Sequence, residues 1–437
     1  MENDQINPEL VNWKKRFFTI WSGQAVSMLG SRLAGFAFVW YLTATTGSAT
    51  VLAMGTLFSM LPDVIITPIA GALVDRLNRK TVLIVFDALT ALVTLILALL
   101  FAFTEVQIWQ IYLVFFLRST FGSFQWTAML TSTSLMVPKE QLARVSGMNQ
   151  TLNGIMGILA PPMGAFLVGI LSMSGILMID VVTALLAIVP LFFFHLPQPV
   201  RSKAQKDDNG KIKFNLWHDL VEGFRYVGTL PGLMMIILIA MLINFVVSPA
   251  FSLLPILVTG YFQKGAIDLG IMESVFSIGF VVGGVLLSIW GGFKNRLVTT
   301  MSFLILMGIS ITLIGFVPAN LFYLATSFLV LAGITNPLVN GPLMAALQAR
   351  VDPEKQGRVF SLLHAGAVLA TPIGLAIAGP VSDAIGVQVW FIIGGLVCVL
   401  MAVISFMNPK VIELGRVVET STTQTATKPT AEYGSEI

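Results

Sequence analysis

Residues 71–80 read Gly71-Ala72-Leu73-Val74-Asp75-Arg76-Leu77-Asn78-Arg79-Lys80, a short polar loop between two apolar runs over 48–73 and 81–104. Each run exceeds the roughly 20 residues that cross a hydrocarbon core at about 1.5 Å per residue. A basic loop between two such runs is a membrane hairpin. The same reading extended both ways along the chain gives spans over 17–42, 48–73, 81–104, 108–132, 145–171 and 174–196. A second set follows over 231–258, 270–291, 297–317, 320–347, 359–381 and 386–407. The sequence therefore predicts an all-α integral membrane protein of twelve transmembrane helices in two six-helix halves. Residues 1–16 form an N-terminal arm, 17–196 the first half, 197–230 a linker, 231–407 the second half and 408–437 a tail.

Composition excludes the alternatives. Of 437 residues, 56% are hydrophobic and 11% charged, against roughly 25% charged in a soluble domain. A water-soluble enzyme of this size would lack the polar surface to stay dissolved. The single cysteine, Cys398, rules out an intramolecular disulfide framework and a cysteine-held metal cluster.

Charge placement sets orientation. Lys and Arg in short loops mark the cytoplasmic side, and 22 of the 25 fall on one side of the twelve-span reading. Only Lys264 falls in an opposite loop, while Arg32 and Arg118 lie within spans. Both termini are expected in the cytoplasm, and the basic residues form no nucleic-acid footprint. The first apolar run has no convincing cleavage site after it and is expected to remain. Within the linker, Trp217, Leu220, Val221, Phe224 and Val227 share one face over 214–228, the pattern of a helix lying on the membrane surface. From about Val418 onward the tail is rich in Thr, Ser and Glu and is expected to be disordered.

The halves repeat each other. Pro138-Lys-Glu-Gln-Leu-Ala-Arg144-Val145 before span 5 resembles Pro353-Glu-Lys-Gln-Gly-Arg358-Val359 before span 11, and Pro162-x-Gly164-x4-Gly169 has the spacing of Pro372-x-Gly374-x4-Gly379. Parallel repeats of this kind place a transport site near the midplane between them.

Three further strings carry a family resemblance. The loop Gly71, Asp75, Arg76, Arg79 and Lys80 resembles the gating-loop motif of the major facilitator superfamily, with Asn78 where a glycine is usual. Span 4 has Leu113-x3-Leu117-Arg118-x3-Gly122, similar to that family's buried-arginine motif. Span 5 has Gly154-x2-Gly157-x3-Pro161-Pro162-x-Gly164-Ala165, similar to its antiporter motif but with a proline and an alanine in place of two glycines. Asn244-Phe-Val-Val-Ser-Pro249 and Asn336-Pro-Leu-Val-Asn340 resemble the macrolide-efflux and enterobactin-exporter-like drug:proton antiporters. The resemblance covers residues 17–407. It implies alternating access, a small amphiphilic substrate, proton exchange and a gating loop that pairs across the halves in the outward-open state. An ion-coupled porter for a metabolite or siderophore is the alternative.

Charges inside the bilayer cost roughly 2.5 to 3.5 kcal/mol each at mid-depth on insertion scales. Measured from the cytoplasmic end, Arg32, Asp63 and Arg118 lie roughly 22, 18 and 21 Å deep by helical rise. Asp63 is expected to pair with Arg32 or Arg118 when ionised and to release it on protonation. Asp87, roughly 10 Å deep, is close enough to reach interfacial water or Lys80. Glu273 lies near the outer end of span 8, and both acids join the proton-coupling candidates. Asp180 and Asp383 read as solvated or capping groups at outer helix ends. Gln24, Phe36, Trp40, Trp126, Asn244, Asn336 and Asn340 are candidate cavity residues, giving an apolar pocket with a few hydrogen-bonding groups.

No phosphate-binding loop is present, and His195, His218 and His364 lack metal-ligand spacing. No cofactor, no metal and no enzymatic activity are expected. Gly279-x3-Gly283 reads as packing within the chain rather than a dimer face, so a monomer in the inner (plasma) membrane of a bacterium is expected.

Overall fold

The computed structural model describes residues 13–74, 77–194, 196, 225, 228 and 232–415, and the backbone only at 72, 139, 353, 354, 357, 358 and 361. Asp75 and Arg76 of the loop, the linker residues expected to form a surface helix, apart from 225 and 228, and the stretch from about Val418 expected to be disordered lie outside the described residues.

Six long helices build each half. The first contains α1 (Trp13–Thr46), α2 (Ala49–Val74), α3 (Arg79–Phe103), α4 (Ile108–Met136), α5 (Leu142–Ile170) and α6 (Met173–Phe193). The second contains α7 (Leu233–Ser252), α8 (Ala266–Trp290), α9 (Arg296–Phe316), α10 (Phe322–Arg350), α11 (Pro353–Ile385) and α12 (Val387–Met407). A short α13 (Pro409–Leu414) follows. Past Ser252, α7 continues through a turn at Leu254–Ile256 and a π turn at Leu257–Tyr261, where Pro249 and Pro255 each remove a helical donor.

Eleven of the twelve are long and apolar enough to cross a membrane by length and composition. The exception is α4. Its 29 residues span roughly 43 Å, but Arg118, Ser119, Thr120, Ser123, Gln125 and Thr127 dilute its apolar character. It packs against α2 and α3, and its polar side chains find partners on those two helices and on α1 and α6.

Most helix bounds match the expected spans to within a few residues. The largest difference is α11, which begins at Pro353 rather than 359, because proline at the first helical position costs no hydrogen bond. Side chains set other starts. The Asn78 amide oxygen accepts from Lys80 N and Thr81 N at α3, and Asn295 accepts from Leu297 N and Val298 N at α9.

In the first half α1 packs on α5 and α6, α2 on α4, and α3 on α4 and α6. Adding six to each label reproduces the principal contacts of the second half: α7 with α11 and α12, α8 with α10, α9 with α10 and α12. The sequence repeat is therefore a spatial repeat. Between halves, α5 packs on α8 and α11 on α2, again one relation applied twice.

Those two seams lie toward one end of the bundle. In one, Ser274 Oγ donates to Ile158 O at 2.8 Å, and a side chain at Gly270 would meet Pro161 O at 2.9 Å. In the other, a side chain at Gly379 would meet Thr50 Cα at 2.8 Å. Toward the opposite end, which carries the basic loops, Gly71 of α2 faces open space and Trp126 of α4 is exposed.

Candidate functional site: a cavity between the halves

Beside the α2–α11 seam lies a cavity of about 1220 Å³, lined by α1 from Ser31, α2 from Leu52 to Pro68, α4 from Phe115 to Trp126 and α11 from His364 to Leu369. Most of the lining is apolar; Asp63, Arg118 and His364 are its ionisable groups. A roomy apolar pocket with a few polar groups binds by burial and is oriented by those groups.

The expected pairing of Asp63 with an arginine is not what forms. Arg118 makes an ion pair with Asp180 and also donates to Thr94 Oγ1. Asp180 is 2% exposed, accepts from Ser31 Oγ at 2.9 Å, and has Thr94 Oγ1 3.4 Å away. The expectation that Asp180 is solvated at a helix end is thus overturned. Since α4 and α6 run in the same direction, counting both from the same end puts Arg118 and Asp180 within about one turn of each other. That count was the available signal. A buried carboxylate beside a guanidinium avoids the cost of an isolated charge. Asp63 is left to Ser123 Oγ, which donates to Oδ1 at 2.5 Å, and Arg32 donates to Asn153 Oδ1 at 3.0 Å. The three residues share a depth, but helix rotation and partner choice separate them.

Asp87 does not reach Lys80 or water. It is 4% exposed and accepts from Gln24 Nε2 at 3.0 Å and from Gln125 Nε2. Lys80 Nζ donates instead to Phe192 O at 3.2 Å. Gln24 therefore belongs to a polar cluster joining α1, α3 and α4 and is not a cavity wall. Gln125 escaped the sequence reading because a lone amide in a span gives no pattern.

Of the gating loop, Arg79 is buried and donates to Thr131 O at 3.1 Å within its own half. Gly71 faces open space. The antiporter-motif residues fall where two elements meet. A side chain on Gly157 would touch Ser277 Oγ at 3.1 Å, and one on Gly164 would strike Phe36 at 2.9 Å. Gly154 has Val281 3.8 Å from its Cβ position, and Pro161 and Pro162 lie within α5. Phe36 is thus buried packing, and Trp40 packs against the same core. Trp126 lines the cavity. Asn244 donates to Ala240 O at 2.8 Å and Asn340 to Asn336 Oδ1 at 3.1 Å, and none of these three amides is among the lining residues. Glu273 is half-buried on α8 beside the α5 seam. Asp383 does act as a cap, but on another half's helix: it accepts from Ala49 N at 2.7 Å, Thr50 N at 3.0 Å and Ser48 Oγ at 2.8 Å at the start of α2.

The sequence pattern of the Major Facilitator Superfamily matches this chain over residues 20–362 and 250–432. The chain belongs to that superfamily. Among characterised members, Macrolide efflux protein A of Streptococcus pyogenes is 33% identical over 393 residues, 90% of this chain and 96% of the relative. Multidrug efflux pump Tap of Mycolicibacterium fortuitum is 25% identical over 400 residues, covering 88% and 93%. Two solved structures show the shared superfamily fold. A bacterial homologue of the human lysosomal transporter Spinster, in its inward-facing and unoccupied conformation, has a TM-score of 0.63 at 13% identity, covering 94% of this chain and 96% of that one. A POT family transporter with a bound thioalcohol-conjugated peptide has a TM-score of 0.67 at 13% identity, covering 88% and 95%. The chain is accordingly a multi-pass membrane transporter acting on a small molecule.

Proposed function

We propose that the chain is a secondary active exporter that moves amphiphilic drugs such as macrolides out of a bacterial cell by alternating access, in exchange for protons. Its basic end faces the cytoplasm, it works as a monomer in the inner (plasma) membrane, and the gating-loop and antiporter motifs serve its conformational cycle. The observation that carries the reading is the cavity: about 1220 Å³, largely apolar and lined from both halves. Its arginine is neutralised by Asp180, which leaves Asp63 as the acid facing the cavity. The likeness to Macrolide efflux protein A over 90% of the chain supports the substrate class. An amphiphile enters from the cytoplasm or inner leaflet, is held by apolar burial, and is released when the seams at the other end part. Asp63 is a carboxylate at the right depth to exchange a proton in that cycle.

Inverted membrane vesicles test the reading. Labelled erythromycin, a macrolide, is expected to accumulate when a proton gradient is imposed, and the accumulation should collapse when a protonophore dissipates it. Asp63→Asn is expected to abolish gradient-driven uptake while leaving the protein folded. Uptake that ignores the gradient would remove proton exchange from the account.

A further inference from the structure

Around α8 three faces can be told apart. Ile267, Ile278, Val285 and Ile289 are exposed and form its lipid face. Gly270, Ser274 and Ser277 meet α5, and Gly279 and Gly283 meet α10. At about 100° per residue, Glu273 points between the α5 and α10 faces and nearly opposite the lipid face. It therefore faces the protein interior at the rim of the α5–α8 seam. One residue away, Ser274 Oγ donates across that seam to Ile158 O at 2.8 Å.

Glu273 is half-buried; its backbone O accepts from Ser277 Oγ at 3.2 Å, while its side chain has no hydrogen-bond or ion-pair partner among the described residues. Neither packed neighbour supplies one. Between Arg144 and the end of α5 there is no ionisable residue, and between Tyr323 and Arg350 of α10 there is none. Toward the start of α8, Asp268 accepts from Gly265 N at 3.2 Å and Lys264 sits over the Phe322 ring. On α1, which flanks α5, Arg32 is engaged by Asn153. The other buried acids differ: Asp180 has Arg118, and Asp87 has two amides.

We propose that Glu273 is a proton-accepting residue that couples protonation to closure of the α5–α8 seam; the proposal rests on the exporter reading above. A bare carboxylate in this seam has no counter-charge and little water, at a cost of the order of other intramembrane charges. A proton taken from the outer water when the seam is open makes the carboxyl neutral, and the seam closes. Giving the same proton up toward the basic side restores the charge and favours separation. One proton is gained outside and lost inside in each cycle, opposite to the path of the exported molecule. Because closure is favoured only in the protonated state, the population of the two conformations follows the proton.

The experiment uses the full-length protein in liposomes, with Cys398→Ala as background and spin labels at Leu171→Cys and Ile267→Cys, on either side of the seam. Distance distributions are recorded between about pH 5 and about pH 9. The separated population of the otherwise unchanged protein is expected to grow several-fold with pH. Glu273→Gln should stay closed throughout, and Glu273→Asp should keep the pH response. An unchanged response in Glu273→Gln, or no response in the parent, overturns the proposal. Gradient-driven erythromycin uptake is measured in parallel. If the parent's seam titrates but erythromycin is not carried, the substrate reading fails and the role of Glu273 stands. If erythromycin is carried and Glu273→Gln keeps full proton dependence, the role of Glu273 fails alone.

Discussion

The two halves repeat one architecture and fill it with different chemistry. At the start of α3, Asn78 caps the helix and Arg79 donates to Thr131 O at 3.1 Å on α4. At the start of α9, Asn295 caps and Arg296 donates to Ala345 O at 2.6 Å on α10. The basic end of each half is tied by the same device. Deeper in the bilayer they part. The first half holds Arg118 with Asp180 and Asp87 with Gln24 and Gln125. The second half packs backbone on backbone. A side chain on Gly283 would sit 2.0 Å from Ile334 O, and one on Gly333 would sit 2.4 Å from Phe276 O. Small residues allow such approach where lipid supplies no hydrophobic drive between helices. The difference teaches that duplication preserved the scaffold while the partnered buried acids gathered in the first half.

Breaking the charged half should have the largest effect. Arg118→Met alone leaves Asp180 buried without a counter-charge and is expected to lose about 3 to 5 kcal/mol of stability, read as a lower melting temperature in detergent. The double variant Arg118→Met with Asp180→Leu should recover most of that stability without recovering transport. If the single variant melts like the parent, the pair does not hold the half together. In the glycine-packed half, Gly283→Val forces α8 from α10 and should cost about 1 to 3 kcal/mol by overpacking. The same change at Gly71, which faces open space, should leave melting within error; equal losses at both sites would dissolve the contrast. The smallest effect sharpens how the halves meet. Asp383→Ala removes the carboxylate that α11 lends to the first turn of α2 and should cost about 0.5 to 2 kcal/mol of capping. Because that cap spans the halves, the loss should appear as a larger separated population at the seam end in spin-label distances, with melting little changed.

Legibility followed the range of the interactions. The span over 81–104 was readable because an apolar run is a local property, and α3 covers Arg79–Phe103. The repeat was legible as well, since Gly164 and Gly374 each pack against the first helix of their own half, on Phe36 and Phe245. The expected pairing of Asp63 with an arginine does not form, because depth along a helix is readable locally while azimuth is not. Arg118 turns toward α3 and α6 rather than α2. Composition alone makes the amides Asn244, Asn336 and Asn340 candidate cavity walls, and α10 spends two of them on each other.

By itself the sequence determined that this chain lives in a membrane, how many times it crosses, and that its two halves share an origin, because hydrophobic length, basic loops and repeated strings are written residue by residue. Only the tertiary structure decided which acid meets which base, which end of the bundle is sealed, and that Asp383 and Glu273 stand at the seams. Those facts depend on how helices rotate and cross, and a lone polar side chain in a span is stabilised by whatever partner the packing brings to it.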